Sequence, residues 1–417
     1  MSPRQWTMDD VLQPYTWAGF RDDYWQQQPL HIHRGQADYF ATLAAVDDID
    51  FMLGAYAGQP GFAISVIGSR IDSGVPEQLR SSNPRHWTPE RVYQRLAQGA
   101  TIRIGNVARY LPEVARMAAG FEQRLQTDIN INLYYTPRQS RAFEAHYDNH
   151  DVFIIQVAGS KRWRLFQQAE QWPVEVVYRG RLEWLRQHSD AGFSPPVSTR
   201  GEPDEVILRA GDMLYVPRGR VHQVSTLDDS PSLHLTVAAP VVTWYEACVQ
   251  GLLRAFRHSP ELRQALPPDF ATHQDNISAE QYAAVAAAVA QHLNPDVLRQ
   301  AVAEMGRQFI DSRRGDWHHS SSDVESWRQL TLDQPLRLRP ALLYRLQREP
   351  TQILVRFWGQ TITVPLRCET MLQHVLEASP FRARDLTTHL SDQSRLVFCQ
   401  SLLQQGLIVR VDDERAG

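Results

Sequence analysis

A histidine and an aspartate two positions apart on extended chain project to the same side and can reach one ion. The sequence carries this pattern at His146/Asp148, His188/Asp190 and His273/Asp275. The second lies in a Gly- and Pro-containing stretch and the third in a polar loop before a helix, whereas His146/Asp148 borders the apolar run Val152 to Val157. A rigid strand favours the first pair. A third ligand comes from Gly211-Asp-Met-Leu-Tyr-Val-Pro217-Arg-Gly219-Arg-Val-His222, where a buried strand, a Pro/Gly turn and a histidine follow in order. Two imidazoles and one carboxylate on one face of a metal leave positions open, the ligand set of non-haem Fe(II) oxygenases, although zinc accepts the same donors. Lys161 follows the turn Ala158-Gly159-Ser160 and is the single lysine of the chain. A lysine kept there, in a chain that otherwise uses arginine, suits an anchor for an anionic dicarboxylate. Asn132 and Tyr134, alternate residues of an earlier strand, are placed to complete that pocket, with Tyr134 as plain core the competing reading.

These groups need a scaffold, and the sequence from Thr101 to Ala239 supplies one in short strands separated by turns. The expected strands are Asp128 to Tyr135, Val152 to Val157, Arg162 to Phe166, Glu205 to Leu208, Met213 to Val216 and Leu233 to Ala238. Strands so spaced imply a barrel or sandwich. Between them Gln167 to Pro203 reads as an insertion, partly helical and partly a cover. The first hundred residues mix helical and strand signals; Trp25, Pro29, His31 and His33 suggest helix followed by extended chain, with no evident chemistry.

Beyond Pro240 the period becomes helical. Ser278 and Gln281 form a capping box ahead of Tyr282, Val285, Val289 and Leu293, and Asn294-Pro295 opens a second amphipathic helix through Leu298, Val302, Met305 and Phe309. Such a pair can associate with a second copy or pack on its own chain. Gly315 to Asp323 reads as a linker. A short helix (Ala341 to Leu346), a hairpin turned at Gly359 and Gln360, helices near Thr370 to Ala378 and Asp392 to Gln405, and a strand Leu407 to Val411 then describe a winged-helix domain. Its last helix offers Arg395 against Asp392, so a scaffold role is expected and specific DNA binding is not.

The length of 417 residues implies two or three domains. The expected division is residues 1–245 for the barrel with its N-terminal extension, 246–320 for the helical pair and 321–417 for the winged helix. With 43% hydrophobic and 22% charged residues the chain should bury a core, and 43 basic against 47 acidic residues give no general attraction to nucleic acid or anionic membrane. Three scattered cysteines, a polar N-terminus and the lack of a long apolar run point to a reducing, cytoplasmic setting without membrane insertion.

The segments Asn132-Leu-Tyr134-Tyr-Thr-Pro137, His146-Tyr-Asp148 through Phe153-Ile-Ile-Gln156, Gly159-Ser-Lys161-Arg-Trp163, and Gly211-Asp212 through Pro217-Arg-Gly219 to His222 resemble the JmjC-type ribosomal oxygenases. That group includes bacterial arginyl and animal histidyl hydroxylases. The resemblance spans residues 20–412 and is strongest over 130–240. It implies a mainly β fold with α elements: a double-stranded β-helix of the cupin/JmjC type, then a helical dimerisation segment and a C-terminal winged-helix domain. It also implies Fe(II) held by His146, Asp148 and His222, 2-oxoglutarate as cosubstrate paired to Lys161, and O2 as oxidant. Asn132 and Tyr134 match pocket positions of the histidyl branch, and His234 and Thr236 on the strand after the third ligand are further pocket candidates. The arginyl branch is less similar at the anchor, where it carries arginine. Against metal cupins, an aspartate replaces the second histidine of the first motif and the later glutamate is missing, so three ligands are expected rather than four.

The expectation is therefore a homodimeric Fe(II)- and 2-oxoglutarate-dependent hydroxylase acting at the metal centre on a protein side chain, with a ribosomal protein as partner and histidine favoured over arginine. The alternatives are the same chemistry on a ribosomally made precursor peptide, and a non-catalytic metal-cupin binding module. Histone demethylation is a weaker possibility, because no feature picks out a methylated cation.

Overall fold

The computed structural model describes residues 6–67, 87–138, 141–173, 199, 201–227, 230–268, 270–273, 276–313, 327–387 and 389–411. The chain divides into two compact units, Met1–Val241 and Val242–Gly417. In the first unit the strands are β1 (Leu30–Ile32), β2 (Ile64–Ile67), β3 (Thr101–Ile104), β4 (Asn130–Thr136), β5 (Arg141–His146), β6 (Asp151–Ala158), β7 (Ser160–Gln168), β8 (Asp204–Arg209), β9 (Met213–Val216), β10 (Arg220–Thr226) and β11 (Ser232–Ala239). They form a major sheet ordered β1-β9-β6-β11-β4-β3-β2 and a minor sheet ordered β5-β10-β7-β8. All their pairings are antiparallel. This is the cupin/JmjC double-stranded β-helix, with helices added.

The central strand β6 explains how the layers are held. Its residues are buried on both faces, which is why it reads as an unbroken apolar run rather than an alternation. Phe153, Ile155 and Val157 join an outer core with the N-terminal helices, including Phe20 and Phe121. Val152 and Ile154 point the other way and pack with Trp163, Leu165, Leu208, Leu214, Val216 and Val224 between the sheets. Six strands lie where the sequence places them. β5 was not anticipated, since Arg-Ala-Phe-Glu-Ala-His lacks β-branched residues and forms a strand through pairing with β10. Most of the insertion Gln167 to Pro203 lies outside the described residues, as does all of the linker Gly315 to Asp323.

In the second unit, helices Trp244–Ala255, Ala279–His292 and Pro295–Ser312 come first. The cap at Ser278 and the start at Asn294-Pro295 follow the sequence signals. A Cβ at Gly251 would come within 2.6 Å of Leu293 Cδ1, so glycine permits the first helix to approach the other two this closely. Two three-stranded sheets follow. One is ordered β16 (Phe381–Arg382), β12 (Pro335–Leu338), β17 (Ile408–Arg410), the other β13 (Arg345–Arg348), β14 (Gln352–Phe357), β15 (Gln360–Pro365). Helices Glu369–Glu377 and Asp392–Gln404 share one apolar core with them.

The helix expected over Ala341 to Leu346 does not form. Arg345–Arg348 is instead an exposed edge strand paired with β14, Leu346 opposite Val355, because the turn at Glu349 to Thr351 folds it back onto that strand. The neighbouring hairpin turns at Trp358-Gly359, one residue earlier than expected, with φ of 51° and 70°. Positive φ at both turn residues matches the right-handed twist of the strands.

Candidate metal centre

His146 is the last residue of β5, and His222 lies directly opposite it on β10. Their rings are 4.4 Å apart between centroids. Asp148 sits two residues on, in the link to β6, and its Oδ2 is 3.7 Å from His222 Nε2. One ligand atom from each of the three residues lies within 4.8 Å of the others. Donors bonded to one ion at metal–ligand lengths of about 2.1 Å stand roughly 3.0–3.4 Å apart, so a small closing of side chains completes the site. Of the two other His-x-Asp pairs, His188/Asp190 lies outside the described residues, and so does Asp275 of the third.

The backbone fixes this convergence. The amide of Gly219 donates to the carbonyl of Asp148 at 2.9 Å, tying the β9–β10 turn to the ligand link. Gly219 has φ +80°, and a Cβ there would fall 2.0 Å from the Glu170 carbonyl oxygen. Glycine is required on both counts. His222 is buried, and its Nδ1 lies 3.1 Å from the Arg220 carbonyl. Donation from Nδ1–H leaves the Nε2 lone pair directed at the site, a common arrangement for a metal-bound imidazole. Burial, with His146 alongside, pushes the His222 pKa down to about 4, so the ring is neutral as a ligand must be. Asp148 is held below the usual carboxylate range: burial opposes its charge, but His222, His150, His146 and Arg103 together outweigh that. The donor set, its spacing and its protonation all fit a divalent metal.

Deeper in the barrel lies a second group of residues. Lys161 is fully buried on β7, and its Nζ crosses between the sheets to donate to Thr136 Oγ1 on β4 at 3.1 Å. Burial pushes its pKa down to about 7. Among the described residues no carboxylate pairs with it. On the major sheet, cross-strand partners Asn132/Thr236 and Tyr134/His234 form a patch on the face shared with Thr136. His234 stacks on Tyr134 with centroids 4.9 Å apart, and Trp163 stands 5.7 Å from the His222 ring and 6.2 Å from His234. His234 Nδ1 and Trp163 Nε1 are buried polar atoms without a hydrogen-bond partner among the described residues. Asn132 has a second task, since its Oδ1 accepts the amide of Asn106 at 3.2 Å. The structure thus brings the sequence-selected residues into one barrel interior. Thr136, in the quoted Tyr-Thr-Pro segment, was overlooked; its sign was a buried hydroxyl two residues after Tyr134.

Two histidines and an aspartate converging inside an antiparallel β-helix are the arrangement expected of a JmjC-type site, and residues 104–247 match the JmjC domain family. A Drosophila mojavensis protein described as bifunctional lysine-specific demethylase and histidyl-hydroxylase NO66 is 31% identical over 265 residues, 62% of this chain. The chain spans 28% of that relative's length. The Dictyostelium discoideum protein of the same description is 26% identical over 437 residues, covering 96% of this chain and 81% of its own. The structure of YcfD, a ribosomal oxygenase from Escherichia coli in complex with cobalt and 2-oxoglutarate, shares the fold with a TM-score of 0.53 at 17% identity, over 96% of this chain and 99% of that one. Residues 104–247 are thus a JmjC domain, and the chain is similar in sequence to the NO66 proteins and in fold to the ribosomal oxygenase YcfD. No helix among the described residues is long and apolar enough to cross a membrane.

Proposed function

We propose that this protein is an Fe(II)- and 2-oxoglutarate-dependent oxygenase that hydroxylates a side chain of a ribosomal protein in the cytoplasm, histidine in preference to arginine. The observation that carries the reading is the convergence of His146, Asp148 and His222 beside a buried lysine that lacks a carboxylate partner among the described residues. When bound, Fe(II), 2-oxoglutarate and O2 supply the oxidation that converts a C–H bond into an alcohol, with succinate and carbon dioxide as co-products.

The residues supply the rest. His146, Asp148 and His222 hold the metal and leave positions open for ligands. Lys161 receives the distal carboxylate of the cosubstrate, which replaces the solvation it lost on burial. Thr136 orients the ammonium. Tyr134, His234 and Thr236 line the patch between anchor and metal, and Asn132 braces it through Asn106. Trp163, against His222 and His234, keeps water from that space. The histidyl preference is supported by the similarity to the NO66 proteins, described as histidyl-hydroxylases, and by the lysine anchor.

The test is succinate release from 2-oxoglutarate by the purified, iron-loaded protein with ribosomal proteins, followed by mass spectrometry for one added oxygen. Hydroxylation of a histidine is expected. Turnover only with a precursor peptide would replace the substrate assignment, and no turnover with any substrate would return the protein to a metal-binding module.

The second unit serves this enzyme as a dimerising helical segment followed by a winged-helix scaffold. Helix Ala279–His292 buries just Ala288 of its own residues, leaving Tyr282 57% and Val285 44% exposed, and Val302 on the next helix is 47% exposed. A second copy of the chain covers this apolar face in the proposed dimer. Light scattering of the full chain should give twice the monomer mass, and Tyr282→Glu with Val285→Glu should halve it. An unchanged mass would overturn the dimer.

A further inference from the structure

A second cluster of the same composition stands at the rim of the barrel, at the end of the major sheet's edge strand β1. We propose that His31, His33 and Asp212 form a second metal site, which takes a divalent ion that favours imidazole, such as Zn2+. β1 pairs with β9 through His31 opposite Leu214 and Ile32 opposite Met213, and one further step of that register sets His33 against Asp212. Leu30 and Ile32 are buried, so His31 and His33 project together from the opposite, exposed side.

The carboxylate between them is fixed. Asp212 is fully buried and accepts the amides of Arg34 at 3.1 Å and Arg209 at 2.9 Å. His33 Nδ1 stands 3.0 and 3.1 Å from its two oxygens, and His31 Nε2 is 3.7 Å from Oδ2. One ligand atom from each residue lies within 4.8 Å of the others. Gly211 holds the turn at φ +89°, where a Cβ would fall 1.9 Å from the Gln36 carbonyl oxygen. The nearby Arg34 guanidinium lies over the Tyr39 ring, and its two terminal nitrogens bond to the carbonyls of Gly211, Gln13 and Val11 rather than to the carboxylate.

An ion pair between His33 and Asp212 would need one imidazole. The second, aimed at the same carboxylate, is what a metal requires. Two histidines and one carboxylate with solvent on the open side suit zinc or a neighbouring transition ion better than magnesium or calcium, which prefer oxygen. As the ion enters, the neutral His33 ring carries its hydrogen on Nε2, exchanged through solvent, so that the Nδ1 lone pair faces the metal. The ion would then bridge β1 to the turn before β9.

The experiment uses the full chain stripped of metal and titrated with Zn2+ against a chromophoric chelator, with bound metal counted by mass spectrometry. His146→Ala with Asp148→Ala removes the barrel ligands. That variant should still take up one equivalent, and adding His31→Ala and His33→Ala should abolish it, with each single rim substitution weakening binding more than tenfold. The rim substitutions are on the surface, and circular dichroism verifies that each variant is folded. No uptake by the barrel variant, or uptake unaffected by loss of both rim histidines, overturns the proposal. The barrel assignment is read separately, from the equivalent lost on His146→Ala and Asp148→Ala alone.

Discussion

The barrel and rim clusters contain the same residue types, and each sets a histidine Nε2 3.7 Å from a carboxylate oxygen, yet they are built in opposite ways. In the barrel a histidine is buried and the carboxylate is the more open partner: the His222 side chain is 5% exposed and that of Asp148 32%. On the rim the carboxylate is fully buried under two backbone amides, while the His31 and His33 side chains are 31% and 60% exposed. Burial decides what each can do. The barrel residues face an interior that also holds Lys161, Tyr134, Thr136 and His234, so an ion bound there would share a space of low dielectric with groups able to hold an organic ligand. The rim ligands face solvent, where an ion can join two chain segments but has no substrate pocket beside it.

The largest effect that tests this contrast comes from removing a ligand at each place. Asp148→Ala should lower 2-oxoglutarate turnover by two orders of magnitude or more, since losing even supporting groups around a metal costs about 10–100-fold. His33→Ala should leave turnover within about twofold. Succinate release measured in parallel checks both. Equal losses at the two sites would mean that the rim ion belongs to the reaction.

Lys161 gives the next effect, and two opposite signs in one variant. Lys161→Met removes a buried cation with no carboxylate partner among the described residues. It should stabilise the folded protein on the order of 2 kcal/mol at pH 7 while raising the KM for 2-oxoglutarate 30-fold or more. Urea unfolding and steady-state kinetics measure the two. The pH dependence follows from the depressed pKa of about 7. Between that value and the ordinary lysine range near 10.4 the unfolded chain binds more protons than the folded one, so stability rises with pH. This contribution to the slope should be absent in Lys161→Met. An incoming carboxylate favours the charged ammonium, so cosubstrate binding should take up a proton above pH 7 and weaken as pH rises further. Calorimetry in two buffers of different ionisation enthalpy detects the proton; no buffer dependence would remove Lys161 as the anchor.

The residues of the barrel cluster were legible in sequence for a physical reason. His146 and Asp148 are local to one another, and His222 follows a strand, proline and glycine whose geometry is set within ten residues. Lys161 stood out by composition. The rim cluster gave no such sign, because Asp212 joins His33 across 179 positions and only strand pairing brings them together. The helix expected over Ala341 to Leu346 failed similarly: a short segment was read locally, while the pairing partner β14 decided the outcome. The polar contact of Lys161 with Thr136 also joins two sheets, and no local pattern encodes it.

The smallest effect concerns the rim, and it depends on zinc. Without metal, His33→Ala removes one exposed hydrogen-bonding partner of Asp212 and should cost about 0.5 kcal/mol, near the limit of detection. With metal the difference should grow, because an ion that binds the folded state alone stabilises it by RT ln(1 + [L]/Kd), about 2.7 kcal/mol at a hundredfold excess over Kd. Thermal unfolding is best followed in protein carrying His146→Ala and Asp148→Ala, so that zinc in the barrel does not contribute. In that background the parent's melting temperature should climb with zinc concentration and the His33→Ala protein's should stay level. If both rise together, the ion binds elsewhere, and His31 and His33 serve only as partners of a buried carboxylate.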